Sequence, residues 1–343
     1  MCKTIKCEFD KCLTFEKLLS AHNRASKGKK LKDEIIIFEM DLETNLIRLM
    51  KDIKYKKYKV GSYREFVIYE PKKRIIKSLP YRDRIIHQWY IEEFIKPFMI
   101  KRFISDTYAC LDNRGTLSSA KKTQKYMRKM QKKYGNYYVL QCDIKKFFYS
   151  IDKKILLSIL NRIISDKKLM EFTKIILDDG TDIGIPIGNY TSQYFANIYL
   201  NELDHFIKEK LRVKYYIRYM DDFVLLVKNK NEAKYLFHKI SIFLKNNLNL
   251  ELNQKSRYYP SSIGIDFCGY RIFETHLLLR KRFKKKVKKT LKKWKNSESL
   301  NPNKLLLSWN SIKAHAGHAN SYNFLLQTEF NLRKILEEKN IKI

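Results

Sequence analysis

Two adjacent aspartates, Asp221 and Asp222, are the residues of this sequence best suited to chemistry. Apolar and aromatic residues flank them in the segment YYIRYMDDFVLLV, residues 215–227. This pattern predicts two buried strands joined by a tight turn that carries both carboxylates. Aspartate is common in turns, so simple turn chemistry is one interpretation. A bound divalent metal ion is the other, because burying two neighbouring carboxylates is costly without a positive partner.

A third aspartate, Asp143, follows another predicted strand upstream. The segment YYVLQCDI, residues 137–144, is mostly apolar and continues into KKFFYSID, residues 145–152. Three carboxylates on two strands of one sheet could hold two hard cations, as in polymerases and nucleases. One cation would activate a primer 3′-hydroxyl, and both would stabilise the charge that develops as pyrophosphate leaves.

These two segments resemble motifs of reverse transcriptases. Tyr219-Met-Asp-Asp222 is similar to motif C, and Asp143 with the two phenylalanines after it is similar to motif A. The resemblance implies an α+β right-hand polymerase with fingers, a palm whose antiparallel sheet is flanked by helices, and a helical thumb. It also implies two Mg²⁺ ions, replaceable by Mn²⁺, held by the three aspartates and the backbone carbonyl of Ile144.

The composition favours a nucleic-acid partner. The 343 residues include 71 Lys and Arg against 36 Asp and Glu, a formal charge of +35, which indicates a polyanionic ligand. An acidic membrane surface is the alternative, but the sequence has no apolar run of about 18 residues and no lipidation motif. The N-terminus lacks the apolar core of a signal peptide, so we expect a cytoplasmic protein. The resemblance implies that a bacterium or phage encodes it. Six cysteines without a CxxC pair argue against a zinc site or a disulfide framework.

A basic hairpin is predicted ahead of the palm. The segment YREFVIYEPKKRIIK, residues 63–77, predicts two short strands around a turn at Pro71. Lys72 and Arg74 could clamp a nucleotide triphosphate, although a generic basic hairpin would have the same pattern. In reverse transcriptases a basic residue of this hairpin contacts the triphosphate, and Arg74 is the closest match.

By the same resemblance, Phe148 lies beside the sugar of the bound nucleotide and leaves no room for a 2′-hydroxyl. A purely structural alternative is that Phe147 and Phe148 both belong to the core. If the strand continued through both residues, its alternation would allow only one of them to be buried.

A glycine-rich segment precedes a predicted helix. Residues 178–193 read DDGTDIGIPIGNYTSQ, and glycines before a helix N-terminus allow a close approach of the backbone to a ligand. The segment resembles motif B, which implies that Ile187, Gly188 and Gln193 lie near the nucleotide. Isoleucine stands where the common retroviral form has glutamine. We expect low fidelity, because an apolar side chain makes fewer geometric checks on the nascent base pair.

Helical spacing is predicted over 13–26, 32–57, 84–104, 116–134 and 231–246. Beyond the last of these, Lys255 lies where motif D carries a lysine, placed to donate a proton to pyrophosphate or to balance its charge. Gly269 and Tyr270 resemble the primer grip.

The segment from Arg280 and Lys281 to residue 294, RKRFKKKVKKTLKKW, predicts a basic amphipathic helix. Alone it would also suit a membrane surface. After a polymerase palm it resembles a thumb that grips the template–primer duplex through its phosphates. The predicted order is N-terminal helices and fingers over 1–135, palm over 136–276 and basic thumb over 277–343.

Within the family, the segment IGNYTSQ of residues 187–193 is similar to diversity-generating retroelement reverse transcriptases. This implies that the chain copies a template RNA into cDNA from a DNA or RNA primer with deoxynucleoside triphosphates, holds the RNA–DNA duplex, and makes errors at adenines. It also implies a small helical oligomeric accessory protein as a partner, and no membrane.

A defence-associated reverse transcriptase is the alternative, because some of those enzymes share the TSQ form. A catalytically idle RNA-binding protein would have lost a catalytic carboxylate, and all three are present. The chain is expected to lack maturase, endonuclease and RNase H segments, which argues against a group II intron protein.

Overall fold

The computed structural model describes residues 4–5, 8–69, 73–339 and 341. Lys72 and Pro71, which the sequence assigns to the hairpin turn, lie outside the described residues. The chain forms two compact units: unit 1 contains Met1–Leu111, Asp143–Val213 and His238–Lys255, and unit 2 contains Asp112–Cys142, Lys214–Phe237 and Ser256–Ile343. Because these units are interleaved along the chain, the three consecutive domains expected from the sequence stay a prediction.

The helices are, in chain order, α1 (Phe9–Cys12), α2 (Phe15–Ser26), α3 (Asp33–Glu39), α4 (Leu42–Lys54), α5 (Tyr81–Tyr90), α6 (Lys96–Met99), α7 (Thr116–Tyr134), α8 (Phe147–Ser150), α9 (Lys153–Asn161), α10 (Lys167–Leu177), α11 (Tyr190–His205), α12 (Lys230–Leu248), α13 (Lys281–Asn296), α14 (Pro302–Ala316) and α15 (Tyr322–Glu338). Two π-helical turns, Ile91–Ile95 and Phe206–Lys210, follow α5 and α11.

The strands are β1 (Arg64–Ile68), β2 (Arg74–Ser78), β3 (Tyr138–Asp143), β4 (Tyr216–Tyr219), β5 (Asp222–Val227), β6 (Arg257–Pro260), β7 (Ile265–Phe267), β8 (Tyr270–Ile272) and β9 (Leu277–Leu279), and a short 3₁₀ turn, Ser261–Ile263, follows β6.

Unit 1 is organised around α11. Most residues of this helix are buried, as expected for a helix that is apolar on most of its faces. It packs against α5 and α9. Its buried polar side chains are bonded: Asn197 Nδ2 donates to the carbonyl oxygen of Ala109 at 2.9 Å, and the Tyr199 hydroxyl donates to that of Leu248 at 2.6 Å. These bonds hold the helix that follows the glycine-rich segment.

The predicted basic hairpin is confirmed in unit 1. β1 and β2 pair antiparallel from Arg64↔Ser78 to Ile68↔Arg74, and all five residues of β1 are exposed. Two strands without a buried face have little intrinsic stability. The position of the hairpin therefore depends on its contacts with the rest of unit 1.

Unit 2 contains a four-stranded sheet in the order β4-β5-β3-β6. β4 and β5 form a hairpin from Tyr216↔Leu225 to Tyr219↔Asp222, and most of its residues are buried. β3 pairs antiparallel with β6, and α7 packs against β4 and β5. β4 and β5 are the two strands that the sequence predicts on either side of the Asp221–Asp222 turn.

A second sheet, β7-β8-β9, precedes three helices in unit 2. Val287, Leu291 and Trp294 of α13 recur at helical spacing and are buried. They form one apolar core with Leu305, Trp309, Ile312, Leu332 and Ile335 of α14 and α15. Lysine and arginine therefore occupy the outer positions of α13. Across the described ranges, no helix is both long and apolar enough to cross a membrane.

Candidate active site

Asp221 and Asp222 lie at the turn between β4 and β5. Tyr219 pairs with Asp222, so Met220 and Asp221 form a two-residue loop. Met220 has a φ of 56°, a left-handed value that non-glycine residues rarely adopt and that costs about 1–3 kcal/mol. Nη1 of the buried Arg218 donates to the carbonyl oxygen of Met220 at 3.1 Å. The buried hairpin thus holds a strained turn that carries two consecutive carboxylates.

Two neighbouring groups respond to the negative charge of Asp222. Burial raises the pKa of the Tyr259 hydroxyl, and Asp222 acts in the same direction, whereas the charge of Arg257 opposes the shift. Burial likewise raises the pKa of the Cys268 thiol to about 12, and Asp222 contributes to that shift. Both groups are therefore neutral near pH 7.

Asp143 is the last residue of β3, and Ile144 forms an isolated antiparallel bridge with Leu252. The N–H of Asn253 donates to the carbonyl oxygen of Asp143 at 2.7 Å, and the N–H of Lys145 donates to Glu251 at 2.9 Å. In this pattern the bridged residue directs its own N–H and C=O away from its partner. The bridge therefore leaves the Ile144 carbonyl available, as a metal ligand must be.

The donor chemistry fits a hard divalent cation. Three aspartates and a backbone carbonyl supply only oxygen atoms, which Mg²⁺ and Mn²⁺ prefer. In the part of the chain that the structure describes, no three His, Cys, Asp or Glu side chains form a group that could hold a metal ion. The assignment of Asp143, Asp221 and Asp222 as metal ligands is therefore a proposal.

A cavity of about 320 Å³ in unit 1, which we call the loop cavity, lies beside the segment that resembles motif B. Its volume falls in the range of small-molecule sites, about 300–1,000 Å³. The loop between α10 and α11 supplies most of its wall, from Asp179 to Ile187, and Tyr149 and the β1–β2 hairpin supply the rest. Ile187 lines this cavity, and its place beside the nucleotide stays a prediction.

Gly188 lies where this loop meets the hairpin. The N–H of Lys77 donates to the carbonyl oxygen of Ile187 at 2.9 Å. A Cβ on Gly188, which has a φ of +128°, would lie 2.6 Å from the Lys77 carbonyl oxygen and 3.1 Å from Cγ2 of Ile76. Any side chain here would push β2 away, so the close approach of two backbones explains the glycine.

Gln193 lines a different, smaller cavity of about 190 Å³, together with Gly188 and His87. The structure therefore does not bring Gln193 and Ile187 to one cavity. Burial lowers the pKa of His87 to about 3, and its Nδ1 is bonded to the Thr191 hydroxyl at 2.9 Å.

β3 ends at Asp143 and does not continue through the two phenylalanines. Lys146 adopts a left-handed conformation with a φ of 48°, and α8 begins at Phe147. Phe147 is buried and Phe148 is half-buried, with their rings edge to face at 5.5 Å. Strand alternation therefore does not decide between them, and the role of Phe148 in excluding ribose stays a prediction.

The residues assigned to the triphosphate and to proton transfer are exposed. Arg74 begins β2 opposite Ile68. Lys255 lies in a turn of unit 1, where its N–H donates to Oδ1 of Asn253 at 3.1 Å. Their roles stay predictions, and Lys72 lies outside the described residues.

The primer-grip assignment of Tyr270 stays a prediction. Its side chain is only 2% exposed and stacks on His315 with ring centroids 4.8 Å apart, and its hydroxyl donates to the His315 carbonyl oxygen at 3.1 Å. The ring is therefore packed against α14. Gly269, with a φ of 93° and its Cα against His315, makes this turn possible.

Arg280 and Lys281 lie at the start of α13. Arg280 precedes the helix and forms an ion pair with Asp266, whereas Lys281 is exposed. The Lys281 side chain is therefore accessible to a phosphate group. For both residues, contact with a nucleic-acid duplex stays a prediction.

The chain is similar in sequence and fold to several known proteins. The family model described as reverse transcriptase (RNA-dependent DNA polymerase) matches residues 59–272. The group II intron-encoded protein LtrA of Lactococcus lactis subsp. cremoris is 25% identical over 229 residues, 46% of this chain and 38% of LtrA. A COX1/OXI3 intron 2 protein of Saccharomyces cerevisiae is 24% identical over 205 residues, 40% of this chain and 24% of the relative. The chain thus spans well under half of either relative. A solved telomerase from Candida albicans in complex with a telomeric RNA fragment has a TM-score of 0.47 at 12% identity, covering 89% of this chain and 58% of the telomerase.

The family model spans more than half of the chain and includes the basic hairpin, Asp143, the glycine-rich segment and the Asp221–Asp222 turn. The helices and the antiparallel sheet agree with a right-hand polymerase fold. This chain belongs to the reverse transcriptase (RNA-dependent DNA polymerase) family.

Proposed function

We propose that this chain is an RNA-directed DNA polymerase that extends a DNA or RNA primer on an RNA template with deoxynucleoside triphosphates. The observation that carries the proposal is the strained turn that holds Asp221 and Asp222 at the end of a buried hairpin, in a chain of the reverse transcriptase family. A turn that needed aspartate only for its turn propensity would have no reason to place a methionine at positive φ.

Asp143, Asp221 and Asp222, with the Ile144 carbonyl, would hold two divalent cations. Bound there, these ions would supply activation of the primer 3′-hydroxyl and charge stabilisation on the triphosphate. Lys255 would donate a proton to the departing pyrophosphate or balance its charge. Arg74, on the exposed hairpin, would contact the triphosphate.

The loop cavity would accept the deoxynucleotide. Its wall from Asp179 to Ile187 would pack on the nascent base pair, and Phe148 would exclude a 2′-hydroxyl. Gly188 would keep this wall in contact with the hairpin. The exposed lysines of α13 would bind phosphates of the RNA–DNA duplex, with a strong dependence on salt.

We further propose that the enzyme copies its template with errors at adenines, as in a diversity-generating retroelement, with a small helical oligomeric accessory protein. The support is the IGNYTSQ segment and the apolar side chain of Ile187 at the loop cavity. An apolar wall cannot hydrogen-bond an incoming nucleotide and so rejects wrong pairs less strongly.

The test is primer extension on a defined RNA template with Mg²⁺ and four deoxynucleoside triphosphates, followed by sequencing of the cDNA. The proposal predicts DNA with errors clustered opposite template adenines. Rare and evenly spread errors would contradict the diversifying role and favour a defence-associated enzyme. The same assay is repeated with the native RNA and the accessory protein. If the chain binds RNA but makes no cDNA under either condition, the proposed polymerase activity is contradicted.

A further inference from the structure

The wall of the loop cavity is bonded to the backbone that follows Asp143. The N–H of Gly184 donates to the Ile151 carbonyl oxygen at 2.7 Å, and the N–H of Ile185 donates to that of Phe148 at 2.8 Å. Gly184 has a φ of +90°, and a Cβ there would lie 3.3 Å from the Tyr149 carbonyl oxygen. The shape of the cavity therefore depends on how this loop is seated.

One buried ammonium group completes the seating. Lys153 is 6% exposed. Its Nζ donates to the Asp179 carboxylate, to the Thr181 carbonyl oxygen at 2.8 Å and to the Thr181 hydroxyl at 3.1 Å. Its backbone N–H donates to the Asp182 carbonyl oxygen at 3.1 Å. All three donors of the ammonium group are thus satisfied by a few consecutive residues of the loop.

This lysine occupies an unfavourable position unless the loop compensates its charge. Lys153 is the first residue of α9, where the helix dipole disfavours a cation, and a buried ammonium is costly without partners. Burial alone would raise the pKa of Asp179, but hydrogen bonds from Lys153 and Thr181 outweigh it, and the pKa is lowered. The Asp179 carboxylate is therefore ionised near pH 7, and the loop places its negative charge beside the Lys153 ammonium group.

We propose that Lys153 is a positioning residue of the loop cavity, whose ammonium group seats the loop from Asp179 to Ile187 and so sets how tightly a deoxynucleoside triphosphate is held. Lys153 acts through the loop, because its donors are used by Asp179 and Thr181. The inference rests on the proposed function, since it takes the loop cavity to be the nucleotide site.

The kinetic test replaces Lys153 by methionine, which keeps much of the length and removes the charge. Its neighbour Lys154 on α9 is exposed, so Lys154→Met is the matched control. In single-nucleotide primer extension, Lys153→Met should raise the KM for the deoxynucleotide at least about tenfold with kcat within about threefold, a change of about 1.4 kcal/mol in binding. Lys153→Arg should recover part of the loss. An unchanged KM, or a fall in kcat alone, would overturn the proposal.

A second variant excludes simple misfolding. Lys153→Met leaves the Asp179 carboxylate buried without its cation, which can destabilise the fold. The double variant Lys153→Met/Asp179→Leu removes both charges, and it should fold and keep the raised KM. A wild-type KM in the folded double variant would contradict the positioning role.

Hydrogen exchange separates this inference from the proposed function. The amides of Gly184 and Ile185 should exchange faster in Lys153→Met than in Lys154→Met, while the amides of α11 should not change. This result does not require polymerase activity, so an inactive wild-type protein would refute the proposed function alone. Equal exchange at Gly184 and Ile185 in the two variants would refute the anchoring.

Discussion

The backbone N–H of Lys77 donates to the carbonyl oxygen of Ile187 at 2.9 Å, which joins the β1–β2 hairpin to the wall of the loop cavity. Gly188, next to Ile187, has no room for a Cβ at this junction. The exposed two-stranded hairpin therefore has a fixed seat on the loop that is proposed to pack on the nucleotide.

Gly188→Ala should displace β2 from this seat. Overpacking against the Lys77 carbonyl should lower the free energy of unfolding by about 1–3 kcal/mol and raise the KM for the deoxynucleotide at least about tenfold, or about 1.4 kcal/mol. Chemical denaturation and primer extension measure the two effects. Gly115→Ala is the control, because a Cβ there meets no atom within 4 Å. If the two variants have the same free energy of unfolding and the same KM, the contact between Gly188 and β2 does not position the hairpin.

Ile187→Gln should lower the error frequency of cDNA synthesis, because an amide at the cavity wall can hydrogen-bond the incoming nucleotide. Ile183→Gln is the matched control: Ile183 lines the same cavity but is 62% exposed. Sequencing of cDNA from both variants gives the error spectra. An error spectrum of Ile187→Gln equal to that of the control would remove this role.

Tyr270 should act through packing against His315. Tyr270→Ala should lower the free energy of unfolding by about 3–5 kcal/mol, as for other large buried aromatic residues. Tyr270→Phe keeps the stacked ring and loses one hydrogen bond, so it should cost about 1 kcal/mol and leave the affinity for a primer–template duplex unchanged. Weaker duplex binding by a stable Tyr270→Phe protein would contradict a purely packing role and support the primer-grip assignment.

His87 should make stability depend on pH below neutrality. Its folded pKa of about 3 lies below the unfolded value of about 6.5, so the unfolded chain binds the proton first. Stability should be fully present above about pH 6.5 and fall as the pH drops toward 3, by up to about 1.4 kcal/mol per pH unit. Denaturation curves at several pH values should show a shallower slope for His87→Gln. Parallel slopes for the two proteins would show that His87 is not buried in its neutral form.

Local patterns predicted much of the fold. The predicted helix over 116–134 coincides with α7, and the apolar runs around Asp221 form β4 and β5. The segment 32–57, which was predicted as one helix, forms two helices, α3 and α4. The break at Met40 was not predicted, because the spacing of apolar residues continues across it. These elements were predictable because their signals lie within short windows of sequence.

Contacts between distant residues were not predictable in this way. Lys153 begins an ordinary amphipathic helix, and its partner Asp179 lies in a loop far along the chain. Tyr270 is buried in part by His315, which packs on it from α14. Lys146 gives no sequence sign of its left-handed backbone, which directly precedes α8. Arg218 could have been noticed, since a charged residue within an apolar strand requires a specific partner.

The most direct test of the two-metal assignment is primer extension on an RNA template by the wild type, Asp221→Asn and Asp33→Asn, with Mg²⁺ titrated in each reaction. Asp33 is an exposed residue in the first turn of α3 and serves as the control. Loss of a carboxylate ligand should remove several kcal/mol of charge stabilisation, so Asp221→Asn should fall at least about 100-fold in rate with an unchanged unfolding curve. A rate and Mg²⁺ dependence in Asp221→Asn equal to those of Asp33→Asn would contradict the account.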